Sequence, residues 1–139
     1  MKKTILAKIQ LVHSYVTNFS ISINDKIENE YQVELEGQVE FKILDITCIE
    51  DKCCAVIELG NSIELKNIGK TIGNIDITMR GFFEGYNCNS KEEFEEMLKL
   101  NGATTLSHLI RSYIYTVTGL SGITNIVTPM VDYTKLLDI

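Results

Sequence analysis

The sequence lacks a long run of apolar residues. No segment approaches the roughly 18 consecutive apolar residues that a membrane-spanning helix requires. The chain begins with two lysines near its start, as a signal peptide does. Lys8 and Gln10 interrupt the apolar run that follows, and no small-residue cleavage site comes after it. We therefore interpret this start as the first strand of the mature fold.

A surplus of basic residues is also missing. Lysine and arginine number 13 against 19 acidic residues, and the formal net charge is −6. Binding to a phosphate backbone needs a basic stripe, so the charge argues against a nucleic-acid partner. Between residues 25 and 64 there are eleven acids and three lysines, a local charge of −8. We interpret this acidic stretch as a solvated sheet surface, and the alternative is a surface that steers basic partners.

Residues that ligate soft metals are few. They are Cys48, Cys53, Cys54, Cys88, His13 and His108. The run C-I-E-D-K-C-C lacks the two paired C-x-x-C units of a structural zinc site, and Cys53 and Cys54 should point to opposite faces of a strand. The pattern predicts no metal site. We expect reduced thiols in a cytoplasmic protein, some of them buried as small hydrophobic residues.

Catalytic residue types do not group together. Ser107 and His108 are adjacent on a predicted helix, where neighbours in sequence do not face each other. The acids lie on the solvated side of predicted strands, so no pair is forced together to shift a pKa. The stretch G-K-T-I-G at 69–73 lacks the first glycine of a P-loop and indicates a turn. The sequence predicts no enzyme activity and no cofactor.

The first two thirds of the chain alternate apolar and polar residues. The clearest case is residues 31–43, Y-Q-V-E-L-E-G-Q-V-E-F-K-I, which have the period of two of a half-buried antiparallel strand. Gly37 in its middle suggests a bulge or bend. Similar alternation at 8–23, 53–65 and 75–83 predicts three more strands.

The period changes to that of a helix in the last third. An S-x-x-E capping box at Ser90 starts a short predicted helix over 91–101, which Gly102 ends. Thr104 or Thr105 then caps a longer helix. Its apolar stripe is Leu106, Leu109, Ile110, Tyr113, Ile114 and Val117. The predicted class is α+β, one domain over 1–139, with a four-stranded antiparallel sheet followed by two C-terminal helices on one of its faces.

More apolar residues remain than one sheet face and one helix can cover. They are Phe82, Phe83, Tyr86, Ile123, Ile126, Val127, Met130, Val131, Tyr133, Leu136 and Leu137. Self-association is the economical way to bury such a surplus in a chain of 139 residues. We expect a homo-oligomer, a dimer at least.

Three segments resemble the SecB family of export chaperones. A-K-I-Q-L-V-H-S-Y-V-T-N-F-S-I-S-I-N is similar to the family's opening strand, which breaks and re-forms with a phenylalanine, here Phe19. I-D-I-T-M-R-G-F-F is similar to a strand with an acid followed by G-x-F, here Asp76, Gly81 and Phe83. The segment from 104 to 137 resembles the family's helix with a central arginine, here Arg111, followed by a glycine break and an apolar loop.

The resemblance implies a SecB-like fold whose dimers pair into a tetramer, and an ATP-independent holdase that keeps non-native polypeptides in apolar grooves, in protein export. On this basis the expected client-binding residues are Phe82, Phe83, Tyr86, Ile123, Ile126 and Met130. Asp76 stands where the family keeps an acid that contacts the motor ATPase SecA, so unfolded clients and SecA are the implied partners.

The resemblance weakens after the long helix. Ile123 and Ile126 stand in place of a proline-rich run, only Pro129 remains, and the short sequence up to Ile139 leaves little room for the family's final helix and its tail for SecA. A divergent member is therefore expected. The alternatives are a SecB-like oligomeric adaptor, or a toxin–antitoxin or phage-associated protein without a general export role. A small-ligand pocket under the sheet is a third alternative.

Overall fold

The computed structural model describes residues 7–25, 33–122 and 125–129. Four strands pair in the order β1-β4-β3-β2, and every pairing is antiparallel. Their bounds are Ile9–Ile23 for β1, Val33–Ile49 for β2, Lys52–Asn67 for β3 and Lys70–Gly85 for β4. The predicted four-stranded antiparallel sheet is confirmed, and β1 and β2 form its two edges.

Alternation along the strands sorts the side chains onto two faces. Odd-numbered residues of β3 and β4 face the helix, and the most deeply buried are Ile57, Leu59, Leu65, Ile75 and Ile77. Even-numbered residues of these strands lie on the other side, which we call the open face. The exception is Ile72, which lies at the register shift between β3 and β4 and is buried in the core. The expected irregularity at Gly37 is absent, because Gly37 pairs in register with Ile63. The register shift in β2 lies instead between Ile43 and Asp45.

A single helical segment covers the other face of the sheet. Helix α1, Lys91–Met97, begins at Ser90, whose hydroxyl accepts a hydrogen bond from the Glu93 amide at 3.1 Å, as the capping box predicts. A wider π-helical turn, Leu98–Gly102, leads directly into α2, Ala103–Leu120. The helix on the sheet is therefore one continuous element.

The prediction that Gly102 separates two helices is wrong. Gly102 keeps helical backbone angles, φ −65° and ψ −49°. A Cβ at this position would lie 2.9 Å from Cδ1 of the buried Ile57, so the glycine lets the helix approach β3 closely. Thr104 and Thr105 are not caps either, because their hydroxyls donate to the carbonyls of Leu100 and Asn101, both at 2.7 Å.

Residues 125–129 fold back along α2. The Asn125 side chain donates to the Tyr115 carbonyl at 2.8 Å, and the Ile126 amide donates to the Thr118 hydroxyl at 2.9 Å. The Arg111 side chain donates to the Thr128 carbonyl at 2.9 Å. The helix itself ends before Gly122, whose φ of +77° is in the left-handed region that favours glycine.

Two of the four cysteines are bonded to each other. Cys48 and Cys53 are directly opposite in the β2–β3 hairpin and form a disulfide. The expectation that all four cysteines are reduced thiols is therefore wrong, because the pairing register brings these two sulfur atoms together. Cys54 is exposed and Cys88 is buried, and both are free.

The helical segment in the described part of the chain is not long and apolar enough to cross a membrane.

Candidate functional site

The open face becomes apolar near one end and forms a hollow there of about 260 Å³. The register places Phe82 of β4 between His13 of β1 and Val56 of β3, and Asp45 of β2 opposite Val56. All four strands therefore contribute to this open-face hollow. The residues that line it are Val12, Asp45, Thr47, Cys54, Ala55, Val56, Phe82, Phe83 and Glu84.

Three rings form a continuous aromatic surface beside the hollow. The Phe82 ring centroid lies 6.0 Å from that of His13 and 6.0 Å from that of Tyr15, and His13 and Tyr15 are 5.7 Å apart. Val12 is 58 % exposed and Tyr15 is 40 % exposed. Covering this exposed apolar surface with another polypeptide is favourable, by about 25 cal/mol per Å² of apolar surface removed from water.

Tyr86 and charged side chains form the rim at the outer end of the hollow. The Tyr86 hydroxyl donates a hydrogen bond to Glu84, and this bond raises the pKa of Tyr86 above its ordinary value. The Lys52 amine lies 5.9 Å from the centroid of the Tyr86 ring and 4.0 Å from a Glu84 carboxylate oxygen. These contacts hold an exposed ring against the edge of the hollow.

An ion pair separates the hollow from the rest of the open face. Arg80 lies opposite Tyr15 in the register. Its Nε donates a hydrogen bond to the Glu58 carboxylate at 2.9 Å, and this bond raises the pKa of Arg80. Beyond the pair the open face is a polar trough of about 580 Å³. Its side chains include Asn18, Ser20, Gln38, Glu40, Ser62, Asp76 and Thr78.

Asp76 lies in the polar trough and not at the hollow. Its carboxylate accepts hydrogen bonds from Ser62 at 2.7 Å and from Asn74 at 3.1 Å. Asp76 is six positions before Phe82 along β4, a span of about 20 Å. Asp76 and Phe82 therefore lie in different regions of the open face.

The residues expected to bind clients are only partly brought together. Phe82 lines the hollow and Tyr86 stands at its rim. Phe83 faces the helix in the core and is 3 % exposed, and Ile126 is buried against α2 at 4 %. Ile123 and Met130 lie outside the described residues. The site therefore rests on Phe82 and Tyr86.

Sequence reasoning did not identify Val12, His13, Tyr15 and Val56 as site residues. Tyr15 and His13 are two residues apart on a predicted strand, a spacing that places both on one face. The sequence did not predict that β1 pairs with β4. This pairing places His13 and Tyr15 beside Phe82, although more than sixty residues separate them from it along the chain.

Metal binding has no support in the described residues, where no three His, Cys, Asp or Glu side chains form a group that would hold an ion.

Comparisons with known proteins support a fold assignment. No protein-family model and no curated protein sequence matches the chain. Among solved structures, the chain is similar to the Mycobacterium tuberculosis Rv1957 SecB-like chaperone in complex with a ChAD peptide from the Rv1956 HigA1 antitoxin. The TM-score is 0.63 at 15 % identity, over 90 % of this chain and 91 % of that one. The chain thus has a divergent SecB-like fold.

A second solved structure, a protein of unknown function from Streptococcus agalactiae, is similar over 88 % of this chain and 97 % of that one. Its identity is 12 % and its TM-score is 0.45, too low to support any argument.

Proposed function

We propose that this protein is an ATP-independent chaperone, a holdase that binds non-native polypeptides through the open-face hollow. The single observation that carries the proposal is an exposed apolar and aromatic concavity on a fold that it shares with a peptide-binding chaperone. The mechanism requires no nucleotide, no cofactor and no catalytic residue.

The hollow is suited to side chains that a folded client would bury. An aromatic client side chain buries about 150 Å² or more, which contributes roughly 4 kcal/mol at 25 cal/mol per Å² before ordering costs. One such contact gives weak binding by itself. Several hollows in one assembly would raise the avidity, because each further contact becomes intramolecular. We therefore propose a homo-oligomer, a dimer or a dimer of dimers.

The partner we favour is an antitoxin or another dedicated polypeptide client. Support comes from the similar chaperone, whose bound peptide derives from an antitoxin. Contact with SecA through Asp76, and with it a role in export, is the alternative. The polar trough around Asp76 supports a polar partner surface in that region. We propose the cytoplasm as the location for either role.

The test is suppression of aggregation during refolding of a chemically denatured client, without nucleotide. We expect the protein to suppress light scattering at a stoichiometric ratio. Phe82→Ala should weaken the suppression about fivefold or more, since it removes the ring that packs beside both His13 and Tyr15. Ile68→Ala is the matched control, because Ile68 is 56 % exposed at the turn at the opposite end of β4.

No suppression by the unmodified protein at severalfold excess would refute the holdase function. If Phe82→Ala and Ile68→Ala reduced the suppression of aggregation equally, the placement of the site at the hollow would be refuted.

A further inference from the structure

The Cys48–Cys53 disulfide lies directly beneath one wall of the open-face hollow. The two cysteines are on the helix side of the sheet, where Cys53 is 1 % exposed. Their neighbours Thr47 and Cys54 are paired in the register and point to the opposite face, where both line the hollow. The bond between Cys48 and Cys53 therefore fixes the spacing of the two strands at the hollow.

The wall on the β2 side has little else to hold it. Among the described strands, β2 pairs only with β3, so residues 45–49 end an edge strand just after a register shift. Leu44 is 43 % exposed and Ile49 is 72 % exposed, and in this stretch only Ile46 and Cys48 pack partly against the core. The hairpin reverses at Glu50, whose φ of 58° is in the left-handed region that non-glycine residues seldom adopt.

We propose that this disulfide makes client binding at the hollow redox-dependent. In the oxidised protein the segment 45–49 is clamped to β3, and the wall formed by Asp45 and Thr47 is in place before a client arrives. In the reduced protein this end of the edge strand frays, and the client must order it on binding. The inference rests on the proposed function and adds a form of regulation to the same site.

The reaction requires a dithiol reductant. A reductant thiolate attacks Cys48 Sγ, the less buried of the two sulfur atoms, and the bond between Cys48 and Cys53 breaks. Cys53 leaves as a thiolate and takes up a proton. The second thiol of the reductant then releases Cys48 as a thiol, and the reductant becomes a disulfide. The protein gains two electrons and two protons, and a disulfide oxidant reverses the exchange.

The experiment measures binding of fluorescently labelled, reduced and carboxymethylated α-lactalbumin, which stays unfolded. It has no disulfide for the reductant to reduce and no free thiol to exchange with the Cys48–Cys53 bond. We expect dithiothreitol to weaken binding by the unmodified protein about fivefold, because the hollow is no longer preformed. The double variant Cys48→Ala, Cys53→Ala should bind as the reduced protein does, and dithiothreitol should not change its affinity.

Hydrogen exchange of the same samples supplies a readout that does not depend on a client. Reduction should speed amide exchange in 45–49 and leave 75–79 unchanged, since the latter lies on an inner strand. Unchanged affinity and unchanged exchange in protein whose mass shows full reduction would overturn the proposal. So would a double variant that still responds to dithiothreitol, because the response would then come from Cys54 or Cys88.

The two proposals fail in different ways. Equal client binding in the oxidised and reduced states leaves the holdase function in place and removes only its redox control. Absence of client binding in both states refutes the holdase function, and redox control of binding falls with it.

Discussion

Phe82 and Phe83 are neighbours in the chain, yet they lie on opposite faces of β4. Phe82 is half-buried on the open face, and Phe83 is 3 % exposed among core residues that pack against the helix. The alternation of side chains along a strand prevents both from lining the same surface. Because both residues are aromatic, the sequence suggested client binding for both. Their positions on opposite faces of the sheet give them different roles.

Phe83→Ala should destabilise the fold by about 3 to 5 kcal/mol, because it removes a buried ring and leaves a cavity beneath α2. Urea unfolding measures the loss. Phe82→Ala is the matched control, and it should cost about 1 kcal/mol or less because its ring is partly solvated. Equal losses of stability in the two variants would contradict the assignment of the rings to different faces.

Single residues also explain where local sequence signals were misinterpreted. Thr104 and Thr105 are good N-cap residues, but their hydroxyls bond to carbonyls of the preceding turn inside a continuous helix. Ser90 does cap α1 as the S-x-x-E signal predicts, although the Glu93 carboxylate accepts from the Asn89 amide and not from that of Ser90; all of these residues lie within four positions of each other. A sequence signal for a helix cap is reliable when all the atoms that form its hydrogen bonds belong to residues close together in the chain.

At the scale of elements, the junction between α1 and α2 depends on the sheet beneath it. Glycine usually weakens or ends a helix, and a sequence alone gives no reason for one in the interior. Gly102 lies over Ile57 and near Phe83, where any larger residue would push the helix away from β3. The helical segment stays continuous because its packing against the sheet outweighs the low helix propensity of glycine.

Gly102→Ala should destabilise the protein by about 1 kcal/mol, although alanine has the higher helix propensity by a similar amount. The added methyl group would lie 2.9 Å from Cδ1 of Ile57, which is fully buried, so the Ile57 side chain must shift within the packed core. Thermal unfolding followed by circular dichroism measures the change. A stabilised variant would show that the glycine is not required for this close approach.

At the scale of the whole molecule, apolar side chains remain exposed on more than one surface. On α2, Leu109 is 37 %, Tyr115 47 % and Leu120 83 % exposed, and none of them lines the open-face hollow. Two apolar regions allow two uses, in which the helix contacts another copy of the chain and the hollow stays available to clients. A module whose apolar surface is entirely consumed by assembly is the competing interpretation.

Native mass spectrometry together with binding of a hydrophobic dye separates these two interpretations. We expect a dimer or a dimer of dimers that still binds the dye, because the hollow lies away from the outer side of α2. An oligomer that binds no dye would favour the adaptor. A monomer that binds no dye would contradict both, since all of the apolar surplus would then be covered within one chain.

The sequence by itself determined the four strands, their alternation of apolar and polar side chains between register shifts, and the apolar stripe of the long helix. These features follow from backbone periods of two and 3.6 residues, which act over a few neighbours. The tertiary structure alone decided the rest. The aromatic surface, the Cys48–Cys53 bond and the passage of the helix through Gly102 each depend on strand register or on close packing between elements, which no local period encodes.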